Sequence, residues 1–328
     1  MSIVAFVVIA FMLTAYVLLD GYDLGVAAVT PLIARTDRQR EGSMRSIGPF
    51  WNGNEVWLIA AGGALFALFP QAYASAFSGF YLPFMIVLWL LMFRGIAMEL
   101  RSHFPSEIWH QFWDACFFVS SVLLILLFGV ALGNLLHGVP LNPEGYFAGT
   151  FDELLNSYAL LVGVFAVAAL ALHGTTFLVM RIDGPTVGRA RRLVLRLWPA
   201  VLVLYVAVTA ATLAERGIGF SWIDVIPVFT LVALGAVLFL ALNGRERGAF
   251  AASSAFVTSL LLQAAVTLYP YLLPSLPPRT GGISIFSASP SPVALASALT
   301  VTIAGLVVVV VYSVLVARQM AGKVVVED

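Results

Sequence analysis

Long apolar runs alternate with short connections along the whole chain, and no other feature restricts the fold as much. About 20 apolar residues cross the hydrocarbon core of a bilayer. On that measure nine segments predict spans, at roughly 3–30, 50–69, 75–98, 115–136, 157–180, 197–214, 221–242, 249–272 and 293–316. The second and third are expected to join through a tight turn around "FPQAYAS", and the sixth is the shortest and weakest. Only 10% of residues are charged and mean hydropathy is +0.99, whereas soluble domains carry about a quarter charged residues. The expected fold class is all-α, a polytopic membrane protein with one integral membrane domain over residues 1–328. The first apolar run has no basic leader and no A-x-A site, so it reads as a span and not as a cleaved signal.

Basic residues set the orientation. Arg35, Arg38, Arg40 and Arg45 follow the first span, and Arg94 and Arg101 end the third. Arg181, Arg189, Arg191, Arg192 and Arg196 follow the fifth, Arg245 and Arg247 the seventh, and Arg318 and Lys323 the last. Those 15 of the 17 basic residues fall on one side, leaving Arg216 and Arg279 on the other. The opposite loops are acidic or neutral, with Glu144, Asp152, Glu153 and Asp224. This predicts the N-terminus outside and the C-terminus in the cytoplasm. "PYLLPSLPPRTGG" and "SASPSP" read as a rigid external connection. No internal repeat is visible.

Several function classes are excluded. Formal net charge is zero, so nothing suggests nucleic acid as a partner. Cys116 is the single cysteine, which rules out an internal disulfide and any multi-cysteine metal cluster. His103, His110 and His137 sit near predicted membrane edges and form no set that would hold a haem or a metal.

The polar residues inside the spans are few and one-sided. "LLDGYDLGV" places Asp20 and Asp23 three apart, on one helix face, with Gly21 and Gly25 open to a neighbouring backbone. Asp23 lies ~18 Å from the loop that starts at Arg35, at 1.5 Å per residue. In "GPFWNGNEVWLIAAGG", Pro49 suits a first helical turn, and Asn52 and Glu55 are again three apart. Trp51 and Trp57 suit headgroup level. Arg94 lies ~10 Å inward of Arg101, and His173 ~12 Å from Arg181. Buried carboxylates are expensive in hydrocarbon and mark function by default. Structural readings stand beside the functional one. Arg94 could snorkel or neutralise an acid, Glu55 could cap the helix dipole, Asn52 could be a satisfied amide, and His173 could be a packing histidine. Polar groups confined to the cytoplasmic half describe a half-channel from one face to a buried end.

"DGYDLGV", "GPFWNGNEVWLIAAGGALFALFP", "AFSGFY", "LFGVALGNLLHGVPLN" and "LHGTTFLVMR" together resemble subunit II of the cytochrome bd-type quinol oxidases. The resemblance runs in order over most of the chain and is densest over residues 19–101. It implies two four-helix bundles plus a peripheral helix in a bacterial inner membrane. It implies a subunit that is not catalytic alone, paired with a subunit I that carries haems b and d, in a complex that oxidises membrane quinol and reduces dioxygen to water. It implies no haem ligand on this chain. It leaves open a structural quinone or lipid and a small single-helix accessory subunit. A cytoplasmic proton pathway is expected through Asp23, Glu55, Asn52, Asp20, Arg94 and His173. Many members of the family carry aspartate where Asn52 stands, giving "WDGN". Asparagine can hold a water but releases no proton, so Glu55 or Asp23 is expected to replace the missing carboxylate. A proton-coupled secondary transporter is the alternative that composition and buried acids allow. The lack of an inverted repeat and the apolar outer half count against it.

Overall fold

The computed structural model describes residues 1–216, 226–276 and 282–325. Asp224, Arg279, the side chain of Arg216, the first residues of the predicted seventh span and the middle of the Pro-rich connection lie outside the described residues.

Each predicted span coincides with a helix. They are α1 (Ser2–Ile33), α3 (Trp51–Leu68), α5 (Tyr81–Leu100), α6 (Glu107–His137), α7 (Ser157–Arg181), α8 (Pro185–Arg216), α9 (Ile226–Leu242), α10 (Glu246–Leu268) and α11 (Pro292–Gln319). Seven of these are long and apolar enough to cross a membrane; α3 and α9 are not among the seven. The first turns of α3 hold two asparagines and a glutamate, and α9 has 17 residues.

Local chemistry corrects several boundaries. "FPQAYAS" is not a tight turn: residues Pro70–Gly79 form a separate helix, α4. Pro70 stands at its first position, where a missing N–H costs nothing, and alanines carry it onward. The third span accordingly starts at Tyr81, after Phe80 breaks the helix. A further helix, α2 (Asp37–Ile47), occupies the first basic loop, capped by Thr36 Oγ1, which accepts from Gln39 N at 3.3 Å. Pro49 therefore sits in the turn between α2 and α3, before the first helical residue. The sixth predicted span is not the shortest. α8 runs for 32 residues, because the helix begins twelve residues earlier, in the arginine-rich segment that hydropathy alone assigns to a loop.

α1, α3, α5 and α6 form one group of helices and α7 to α10 the other, with α11 lying outside against α3. The groups meet where α1 and α6 pack on α7. At that seam α1 is buried without interruption from Asp20 to Thr30, and α7 from Ala169 to Val179. Helices covered on every face need small residues at the crossing. A Cβ on Gly25 would lie 2.0 Å from the Leu170 carbonyl oxygen, and one on Gly174 would lie 2.3 Å from the Gly25 carbonyl carbon. Backbone faces backbone, so neither side can yield. Gly25→Ala is expected to cost about 3 kcal/mol or more by overpacking. Gly188→Ala, with nothing within 4 Å of the added carbon, is the neutral control. Thermal stability and yield of the purified protein check both; equal behaviour of the two variants would refute the close crossing.

The ends of the bundle are closed differently. At one end, β1 (Ile182–Asp183) pairs in parallel with β4 (Val324–Val325), which brings the C-terminal segment onto the start of α8. Beside it Arg101 ties α2 to α6, reaching Asp114 Oδ1 at 2.6 Å and Asp37 Oδ1 at 2.6 Å. At the other end, β2 (Tyr271–Pro274) and β3 (Gly282–Ser284) form an antiparallel pair.

Candidate functional site

Asp20 and Asp23 are both fully buried on α1, and the three-residue spacing turns them to one partner. That partner is Arg94 of α5, the largest fully buried side chain of the chain's described part. Arg94 Nη2 lies 2.7 Å from Asp20 Oδ1 and 3.9 Å from Asp23 Oδ2. Its Nη1 donates to Asp20 Oδ2 at 3.1 Å and to Glu55 Oε1 of α3 at 3.0 Å. One guanidinium thus holds three carboxyls from two other helices. Its planar fork makes this geometry available, where an ammonium would offer a point charge.

Asn54, adjacent to Glu55, completes the cluster. Its Nδ2 donates to Asp23 Oδ2 at 2.7 Å and lies 3.0 Å from the Tyr22 hydroxyl and 3.2 Å from the Leu19 carbonyl oxygen. Tyr22 is fixed in turn by stacking on Phe177, with ring centroids 4.2 Å apart. The second oxygen of Asp23, Oδ1, is buried with no hydrogen-bond partner among the described residues. Glu55 alone of the three acids reaches the surface, with its side chain 23% exposed.

Three carboxyls against one guanidinium leave two formal negative charges without a counter-charge. Burying an unpaired carboxylate is costly, and one guanidinium does not by itself balance the three acids.

Asp20, Asp23, Glu55 and Arg94 are therefore brought together. Asn52 is not: it is exposed, and Asn54 occupies the inward position. At 3.6 residues per turn the two asparagines point about 160° apart. Asn54 shares the buried stripe of Trp57, Ala61, Ala64 and Leu68. That i, i+3, i+7, i+10, i+14 pattern is the signal in the sequence that could have found Asn54 in place of Asn52. Trp57 faces a neighbouring helix: it is buried, and its indole Nε1 donates to Ser313 Oγ at 3.3 Å.

His173 lies beside the cluster without joining it. Its Nδ1 pairs with Ser253 Oγ at 2.9 Å and its Nε2 with the Leu18 carbonyl oxygen at 3.0 Å. The ring stacks on Phe250, with centroids 5.2 Å apart. Both nitrogens are committed, so this histidine does not fit a haem axial ligand. Among the described residues there is no group of three or more His, Cys, Asp or Glu side chains placed to hold a metal ion.

Comparison with known proteins supplies the context for this geometry. The family described as cytochrome bd terminal oxidase subunit II matches residues 1–320. Subunit 2 of the cytochrome bd-I ubiquinol oxidase of Escherichia coli (strain K12) is 32% identical over 353 residues, covering 97% of this chain and 93% of that one. The cytochrome bd ubiquinol oxidase subunit 2 of Bacillus subtilis (strain 168) is 34% identical over 205 residues, 62% of this chain and 61% of that one. A chain in the structure of the bd oxidase from Geobacillus thermodenitrificans superposes with a TM-score of 0.79 at 17% identity, covering 97% of this chain and 98% of that chain. At that identity the likeness speaks for the fold.

Proposed function

Because this chain belongs to the cytochrome bd terminal oxidase subunit II family, we propose that it is the subunit without haem of a bacterial quinol oxidase. The complex takes electrons from membrane quinol and reduces dioxygen to water as the terminal step of a respiratory chain. Haems b and d reside on a partner, subunit I. This chain packs against that partner in the inner membrane as a multi-pass protein. The N-terminus is outside and the C-terminus cytoplasmic, as the basic end of the molecule suggests. α3 and α9 complete nine spans. The haem groups supply the electron transfer and dioxygen chemistry, and the residues of this chain hold and position protons.

The observation that carries the proton role is the charge count at Arg94. Reducing dioxygen to water consumes protons, and a buried acid is the group that stores them. Glu55 is the partly exposed member, with its side chain 23% exposed. Arg94 Nη1 bridges Glu55 and Asp20, 3.0 and 3.1 Å away. The guanidinium itself stays protonated and acts by keeping the acids close without letting them repel. Asp23 is the inner end, oriented by Asn54 and left with one free oxygen. Asn52, exposed on the far side of α3, contributes nothing to this cluster; any role for it requires a partner surface. A transporter has less support, since none of the relatives named above is one.

Co-expression with subunit I tests the reading. The complex is purified by a tag on this chain, and a reduced-minus-oxidised visible spectrum is recorded. Haem b and d bands in stoichiometric yield, with oxygen consumed when quinol is added, are expected. A stable, colourless protein free of any partner would overturn the reading.

A further inference from the structure

A cavity of about 500 Å³ opens on the basic end of the molecule, between α1, α3, α7, α10 and α11. α11 packs chiefly on α3, which leaves the long side of the cavity between α10 and α11.

Its two ends differ in chemistry. The mouth carries three cations, Arg181, Arg247 and Lys323, against one acid, Glu246. Glu246 is already neutralised, by Lys323 Nζ at 3.0 Å and by Arg191. Arg181 is the telling residue. It is only 8% exposed, and no carboxylate pairs with it among the described residues. Its Nη1 donates to the Gly322 carbonyl oxygen, its guanidinium lies 5.2 Å over the Phe50 ring, and its Nε is buried without a hydrogen-bond partner. A buried cation without an anion is as costly as a buried acid without a base. Below the mouth the walls become apolar and aromatic, with Phe50, Phe177, Phe250, Met180 and Tyr312. A charged rim on an apolar shaft, in the size range of ligand pockets, suits an amphiphile better than a free ion or a column of water. Basic pockets between spanning helices on the inner side of a membrane are lipid-headgroup sites.

We propose that this cavity seats one phospholipid of net negative headgroup. Its phosphate lies against Arg181, Arg247 and Lys323, and an acyl chain enters between α10 and α11 to lie along Phe177 and Phe250. The floor of the cavity is Tyr22 and Asn54, the two residues that brace Asp23. A lipid here closes the acid cluster to water from this side and leaves Glu55 as its open end.

The test reads lipid and not turnover, so it succeeds or fails independently of the oxidase reading. The purified complex is stripped of lipid in detergent and incubated with phosphatidylglycerol, phosphatidylcholine or inorganic phosphate. It is then repurified, and bound lipid is counted by mass spectrometry and phosphorus content. Arg247→Gln with Lys323→Gln is the main variant, because both side chains are exposed and Arg181 keeps its contacts. Wild type is expected to retain one more phosphatidylglycerol per complex than the variant, whose affinity falls roughly thirtyfold for two lost cations. Arg181→Gln is expected to lose the same lipid where it folds. Phosphatidylcholine and inorganic phosphate should neither be retained nor raise the melting temperature. Equal retention by wild type and the double variant, equal retention of phosphatidylcholine, or protection by inorganic phosphate alone would each overturn the proposal.

Discussion

Arg94→Leu is expected to leave almost no assembled complex in the membrane. The substitution removes the one cation among the described residues that faces Asp20, Asp23 and Glu55. Breaking a buried ion pair from one side costs about 3–5 kcal/mol, since the stranded charge remains. Arg94→Lys should be intermediate, because one ammonium cannot bridge Glu55 and Asp20 as the two Nη atoms do. A quadruple variant, Arg94→Leu with Asp20→Leu, Asp23→Leu and Glu55→Leu, separates stability from function. Replacing a whole buried ionic group by apolar side chains is often neutral for folding, so this variant should recover assembly and haem content while oxygen consumption stays low. Haem per purified complex and melting temperature are the measurements. An Arg94→Leu complex that assembles as well as wild type would show that the acids need no counter-charge.

Asp23→Asn should preserve the complex and stop most of its turnover. Asparagine keeps the shape of aspartate, and its amide oxygen can still accept from Asn54 Nδ2, now 2.7 Å away. It cannot take up or release a proton. A positioned proton-transfer group is worth on the order of 10²-fold or more in rate, so quinol-driven oxygen consumption should fall by about that factor at unchanged haem content. Glu55→Gln is expected to slow turnover by roughly tenfold, less because a partly exposed position can be bypassed by water. Asn52→Asp changes an exposed site away from the cluster and should leave the rate of the Asp23→Asn variant unrestored. Unchanged turnover in both the Asp23 and Glu55 variants would mean that protons travel elsewhere.

The acids at Asp20, Asp23 and Glu55 and the arginine at Arg94 were legible because hydrocarbon makes polar residues conspicuous. An ionisable group inside an apolar run is visible without any neighbour. Amides are less conspicuous. Choosing Asn54 over Asn52 requires the facing direction of α3, and the clue lies in the buried stripe running on to Leu68. Tyr22 and Ser253 carried no signal, because tyrosine and serine are ordinary in apolar helices. Helix boundaries in the arginine-rich start of α8 and in "FPQAYAS" were misjudged for a related reason. Hydropathy reports where a chain meets lipid, whereas helix propensity and capping decide where the helix begins.

The amino-acid sequence by itself determined that this chain crosses a membrane, about where, and which family it belongs to. Those properties come from local composition and from motifs read in order along the chain. Only the tertiary structure decided which side chains meet. Arg94 is 39 positions from Glu55 and 74 from Asp20, and the cavity under Arg181 is built from five helices. Which face of each helix turns inward is set by the packing of all of them at once, through crossings as close as Gly25 on Gly174, and no single segment encodes that.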